Sequence, residues 1–114
     1  MDIKAIIENL KVGAVAADIN FNIIYINKSG KELSKLKGVA DPENLVGSNI
    51  QKCHRPETNE KLESIFQEYR EKKRSLYYYV VDLPVGKVTV VNTPFYDGDE
   101  LAGVVEFIFE GALG

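Results

Sequence analysis

From Leu76 onward the chain reads as three strands joined by two links too short to cross a sheet. Leu76-Tyr77-Tyr78-Tyr79-Val80-Val81 is aromatic and β-branched, Pro84-Val85-Gly86 turns it, and Lys87-Val88-Thr89-Val90-Val91-Asn92-Thr93 runs back. Tyr96-Asp97-Gly98-Asp99-Glu100 turns the chain again, with Asp-Gly as the hairpin cue, and residues 101–109 form the last strand. A parallel crossover needs about a dozen residues or more, so these links permit only antiparallel neighbours. The C-terminal part of the chain is therefore an antiparallel meander.

Upstream, Ile3, Ile6, Ile7 and Leu10 recur at helical spacing, and the run ends near Gly13. A helix this short is marginal alone and needs a surface to pack on. Residues 13–18 and 23–26 read as a hairpin with 18–22 as its loop. Asn27 or Ser29 can cap the next helix, 31–36, which stops at Gly38. Asp41-Pro42-Glu43 opens a short helical turn, and residues 47–50 are a connector. The longest helix runs from about residue 58 to 73, with Leu62, Ile65, Phe66 and Tyr69 in one stripe. Pro56 and Glu57 suit its start by backbone angle and by dipole. The order helix, two strands, three helices, three strands makes this an α+β chain.

At 114 residues the chain is one domain, and 45% hydrophobic residues can build a core. Seventeen acidic against fourteen basic residues leave a net charge of -3, which argues against a nucleic-acid partner held by bulk charge. The cluster Lys72-Lys73-Arg74 reads as the solvated end of a helix. A single cysteine cannot form an internal disulfide. No segment approaches the roughly 20 apolar residues that span a bilayer. The expectation is a cytoplasmic chain without membrane insertion.

The one cysteine and the one histidine are neighbours, in Cys53-His54-Arg55-Pro56-Glu57-Thr58. A structural zinc site wants four ligands, typically spaced in pairs, so no metal site is expected. A nucleophilic dyad needs facing side chains, an oriented base and an oxyanion hole, whereas sequence neighbours diverge. Cys53 reads as a half-buried small residue, with redox sensing as the alternative if Arg55, His54 and the helix start lower its pKa. Glu106 is the one carboxylate inside an apolar segment, and strand alternation favours an outer-face residue able to pair with Lys87 or the N-terminal helix, with a signalling residue that links ligand occupancy to the sheet surface as the alternative. No catalytic residues are expected, and the chain reads as a non-enzyme.

Three stretches carry a family resemblance. Ile24-Tyr25-Ile26-Asn27-Lys28-Ser29-Gly30 resembles the second strand and helix entry of PAS domains, V-x-Y-x-N-x-A. Leu45-Val46-Gly47-Ser48-Asn49-Ile50 resembles their L-x-G-x-x-l connector, and Leu101-Ala102-Gly103-Val104-Val105-Glu106-Phe107 resembles their last strand. The likeness implies a PAS-like five-stranded antiparallel sheet of order 2-1-5-4-3 with helices on one face and an N-terminal amphipathic helix. It implies a single domain over 1–114, divided into an N-terminal helix (1–12), a core (13–110) and a tail (111–114). The segment from Cys53 to Thr58 resembles the C-H-P-P-E-S loop of one PAS subset, with Arg55 in place of the first proline. The flavin-photosensing LOV class aligns from Gly47 to Asn59 without a gap. Its reactive cysteine falls on Ile50 and its phosphate-gripping arginine on Gln51, so the chain is not a LOV photosensor and flavin is not expected.

The resemblance implies a sensory domain that holds a small ligand or a partner between the long helix and the sheet. The lining expected is Leu62, Ile65, Phe66 and Tyr69 from the helix, with Tyr77, Tyr79, Val90 and Phe107 from the strands. Strand phase is open at this point, and Tyr78, Val91 and Val105 are the rivals. The cofactor is open too, with haem held through His54 as a single axial ligand the candidate. The outer sheet face needs a cover. The N-terminal helix, through Ile3, Ile6, Ile7 and Leu10, can supply it to its own sheet or to a partner's, which implies a homodimer. The alternative is a dimerisation or interaction module whose core is filled by its own side chains.

Overall fold

A computed structural model describes residues 1–36, 42–50, 56–84 and 86–111. The elements run α1 (Ile3–Glu8), β1 (Gly13–Asp18), β2 (Ile23–Ile26), α2 (Lys28–Leu36), a 3-10 turn (Pro42–Asn44), α3 (Pro56–Arg70), β3 (Tyr77–Leu83), β4 (Gly86–Asp97) and β5 (Glu100–Glu110). The strands form one antiparallel sheet in the order β2-β1-β5-β4-β3, as the family resemblance implied. The central pairing of β1 with β5 joins the first hairpin to the meander.

Asn27 is the residue that closes this junction. It is fully buried and caps α2, its Oδ1 accepting the N–H of Gly30 (2.8 Å). The same oxygen accepts the N–H of Ala14 in β1 (2.9 Å). Its Nδ2 donates to the carbonyls of Ile7 (2.8 Å) and Val12 (3.0 Å). One side chain thus ties α1, β1 and α2 together. Of the two capping candidates the structure selects Asn27, while the Ser29 hydroxyl donates to the Leu10 carbonyl (2.6 Å).

Several element ends differ from the sequence pattern, among them the start of α2, at Lys28 rather than 31, and the ends of α3 and β4. α3 stops at Arg70 because Lys72 takes a left-handed backbone, φ 59°. The Lys73 N–H then donates back to Glu68 O (2.9 Å) and the Lys72 N–H to Tyr69 O (3.1 Å), a Schellman ending that apolar periodicity does not reveal. β4 continues past Thr93 through Pro94 to Asp97. Its pairing with β3 ends at Asn92, so Pro94 falls where β4 has only β5 beside it and a missing N–H is tolerated. Gly103 makes the central pairing possible: a Cβ there would lie 2.1 Å from the carbonyl oxygen of Ala17.

The loop 19–21 buries a residue that the turn pattern does not mark. The Phe21 N–H donates to Asp18 O (3.0 Å) and the Asp18 N–H to Asn22 O (2.9 Å), a tight turn closed by a left-handed residue. That residue is Phe21, φ 68°, where glycine is usual. Its ring is buried and lies 4.3 Å from that of Phe66 in α3. Aromatic packing therefore holds a backbone conformation that costs a non-glycine residue about 1–2 kcal/mol. Phe21→Gly is accordingly expected to destabilise less than Phe21→Ala, by about 1 kcal/mol in urea denaturation. Equal or greater loss in the glycine variant would show that the strain is absent.

The connector docks on this loop. The Ile50 N–H donates to Phe21 O (2.9 Å), the Ile23 N–H to Ser48 O (2.8 Å) and the Gly47 N–H to Ile23 O (2.7 Å). These bonds place Ile50 in the core beside α3.

Candidate functional site

The four apolar residues of the α3 stripe, Leu62, Ile65, Phe66 and Tyr69, are all buried. What they face is decided by strand register, because residues directly opposite one another in a ladder share a sheet face. Tyr77, Tyr79 and Val81 stand opposite Asn92, Val90 and Val88, and these in turn stand opposite Glu106, Ile108 and Glu110. Val15 and Ala17 of β1 pair with Glu106 and Val104. Val15, Ala17, Val88, Val90, Val104 and Ile108 belong to the core that holds the α3 stripe, with Tyr77 and Tyr79 packed against its edge.

The expected helix lining is thus brought together with Tyr77, Tyr79 and Val90. Phe107 is not. It pairs with Val91 and Ala14, which puts it on the opposite face of the sheet, with Tyr78 and Val105. The cause is that Val104-Val105-Glu106-Phe107-Ile108 carries apolar residues at both phases, so alternation cannot decide between them. Val104 and Ile108 take the place assigned to Phe107. Glu106 is corrected with it: the register puts this carboxyl group on the core face, half-buried, while Lys87 pairs instead with Asp82 (2.6 Å). His54, the axial-ligand candidate, and Cys53 lie outside the described residues.

The site this creates is polar at its centre and apolar around it. The Tyr69 hydroxyl donates to Asn92 Oδ1 (2.8 Å) and lies 3.0 Å from the Asn92 carbonyl oxygen. The Asn92 side chain is 1% exposed. Among the described residues its Nδ2 has no hydrogen-bond partner. Glu106 sits opposite Asn92 on the next strand, and Tyr77 opposite it on the other side. The Phe66 ring lies 6.2 Å from that of Tyr69, and Tyr77, opposite Asn92, lies 5.7 Å from Tyr79. Lys61 Nζ and the Arg74 guanidinium lie 5.3 and 5.8 Å from the Tyr77 ring and mark an outer rim beside β3.

A family model for the PAS domain matches residues 3–110. The chain belongs to the PAS domain family. The PAS domain of a protein from Colwellia psychrerythraea is similar in structure, with a TM-score of 0.69 at 16% identity over 94% of this chain and 92% of that one. The PAS domain of Bordetella pertussis BvgS has a TM-score of 0.65 at 15% identity over 97% and 85%. A sensory box sensor histidine kinase from Vibrio cholerae has a TM-score of 0.61 at 15% identity over 97% and 90%. At these identities the likeness establishes the fold. No match was found among curated proteins.

In this PAS domain α1 is held by polar clips rather than by burial. Besides Asn27 and Ser29, the Tyr25 hydroxyl donates to Glu8 Oε2 (2.6 Å) and Lys28 Nζ to Asn9 Oδ1 (3.1 Å). No α1 residue is buried: Ile3 is 71% and Ile6 44% exposed and Ile7 is half-buried, while Leu10, just past the helix, is exposed too. The outer sheet face is left open in turn, with Tyr78 59% exposed and Val80 40%. A cavity of about 700 Å³ opens where the α1–β1 link, the first turn of α2 and the end of β5 meet, lined by Leu10, Lys11, Lys28, Glu32 and Phe109 among others. Its walls come from three distant stretches of chain, so no local motif announces it. Among the described residues no helix is long and apolar enough to cross a membrane.

Three phenols of the domain resist ionisation. Burial pushes Tyr69 up to about 12, with the charge of Glu106 adding to the rise and Arg74 opposing it. Burial, and then the hydrogen bond and charge of Glu8, push Tyr25 up to about 12. Burial and the Glu106 charge raise Tyr79 as well. An unfolded phenol ionises near pH 10. The stability contributed by Tyr25 and Tyr69 is therefore full below about pH 10 and is lost as the pH climbs through about 12. Urea midpoints should fall between about pH 10 and 12, and the fall should shrink in Tyr25→Phe/Tyr69→Phe. An unchanged slope in that double variant would exclude these two phenols as its source.

Proposed function

We propose that this PAS domain is a sensory module without catalytic activity, which binds a small ligand between α3 and the sheet and transmits its presence through the outer face and α1. The observation that carries the reading is the Tyr69–Asn92–Glu106 group inside an otherwise apolar core. The Asn92 NH2, without a partner among the described residues, costs stability by its burial, and a ligand that supplies an acceptor offsets that cost. Similarity to a sensor histidine kinase supports the sensory part. Transmission requires that the ligand bind two states with different affinity. The two-state element is α1 with the link that follows it, held by the side chains of Tyr25, Asn27, Lys28 and Ser29, and with no buried residue in the helix.

The output in this reading is a homodimer, in which the exposed α1 residues Ile3 and Ile6 and the sheet residues Tyr78 and Val80 are covered by a second copy. Exposed apolar patches of this kind mark association surfaces. The test is the native mass and visible spectrum of the protein purified without added cofactor. A mass above that of the chain, without colour, supports a colourless metabolite, and a Soret band lost in His54→Ala would assign haem instead. A mass equal to the bare chain or its dimer favours an interaction module with a filled core. Ile6→Asp is expected to weaken self-association by at least about tenfold in sedimentation equilibrium, and unchanged association would remove α1 from the interface.

A further inference from the structure

The orphaned amide says what kind of ligand fits, and this step rests on the ligand-sensing reading above. Asn92 is oriented by Tyr69, whose hydroxyl donates to its oxygen (2.8 Å), so the amide turns its NH2 away from that bond, and among the described residues that NH2 has no partner. That NH2 asks for an acceptor. On the adjacent strand and the same sheet face stands the Glu106 carboxylate, an acceptor that favours a donor and repels an anion. Directly opposite residues of a ladder hold their Cβ atoms about 5 Å apart. A planar group with an acceptor and a donor on neighbouring atoms can address two such side chains together. The rings of Phe66, Tyr77 and Tyr79 around them suit a flat, unsaturated body.

We infer that the ligand of this site is an uncharged planar molecule with a lactam-type edge, a carbonyl oxygen beside a ring N–H, whose oxygen accepts from Asn92 Nδ2 and whose N–H donates to Glu106. Carboxylates and phosphates are excluded from the centre by Glu106. Pure hydrocarbons leave the amide unsatisfied. At the β3 edge of the site Tyr77 and Tyr79 are half-buried, with Lys61 and Arg74 against the Tyr77 ring.

The test uses the whole chain and four small probes: 2-pyridone, which has both groups, benzoate, which only accepts, benzamidine, which only donates, and toluene, which does neither. Binding is read by saturation-transfer NMR and by the shift in thermal midpoint at millimolar probe. The variant is Asn92→Leu, in which Tyr69 keeps the Asn92 backbone carbonyl and the unsatisfied amide is gone, so its thermal midpoint is expected to be unchanged or raised. The expected result is binding of 2-pyridone, at least about tenfold tighter than the other three, and its loss in Asn92→Leu. Tighter binding of benzamidine, or of toluene equally in both proteins, overturns the lactam class while leaving a ligand site in place. Failure of all four probes, with an ordered water on Asn92 Nδ2 in a crystal structure and a native mass equal to the bare chain, overturns the site itself.

Discussion

Asn27→Ala is expected to cost about 3–5 kcal/mol of folding stability and to lower the thermal midpoint by roughly 15–25 °C. The change removes four hydrogen bonds at once. The N–H groups of Ala14 and Gly30 lose their acceptor, and the carbonyls of Ile7 and Val12 lose their donor. Orphaned buried groups cost about 1–3 kcal/mol each, and water reaching the half-buried carbonyls reduces the sum. A loss of this size is a large part of the roughly 5–15 kcal/mol that holds a domain together. Asn27→Asp separates the two halves of the role. It keeps both acceptor bonds and the cap of α2 but cannot donate to Ile7 and Val12, so α1 should exchange its amides faster while the sheet stays protected. A cost below about 1 kcal/mol for the alanine variant would mean that the network is not the joint between α1, β1 and α2.

Phe66→Ala is the second large effect, at about 3–5 kcal/mol. Phe66 is fully buried, lies 4.3 Å from Phe21 and 6.2 Å from Tyr69, and sits between the strained loop and the polar centre of the site. Removing it leaves a cavity that the strands cannot close, because the sheet is held by its ladders. The effects of Phe21→Ala and Phe66→Ala should fall short of additive by about 0.5–1.5 kcal/mol, since either change alone breaks the ring pair. Additivity in urea denaturation would show that the two rings do not interact. The cavity offers a second readout: toluene should raise the thermal midpoint of Phe66→Ala more than that of the parent chain.

The helix half of the site is legible in the residue order because one stripe at helical spacing has one face to bury. Leu62, Ile65, Phe66 and Tyr69 needed no partner to be named. The strand half is less so. Tyr77 and Tyr79 could be paired with each other by alternation, but which of the two phases faced α3 was not readable from three tyrosines in a row. On β5 the same ambiguity led to Phe107 and away from Glu106. Phe21 was hidden for another reason: Asn20-Phe21-Asn22 has the composition of a turn, and it is one, yet its left-handed central residue carries the ring inward.

By itself the sequence determined what is local: apolar periods, caps and short links, which together imply five strands, their antiparallel sense and the family resemblance. Tertiary structure alone decided which face each strand presents, and with it the chemistry of the site. The side-chain period of a strand is two, so a shift of one residue in register exchanges the whole inner set for the outer. Only the pairing of β5 with β1 and β4 sets that register here. It turns Phe107 outward and Glu106 inward, and leaves the amide of Asn92 beside a carboxylate on the same face of the sheet.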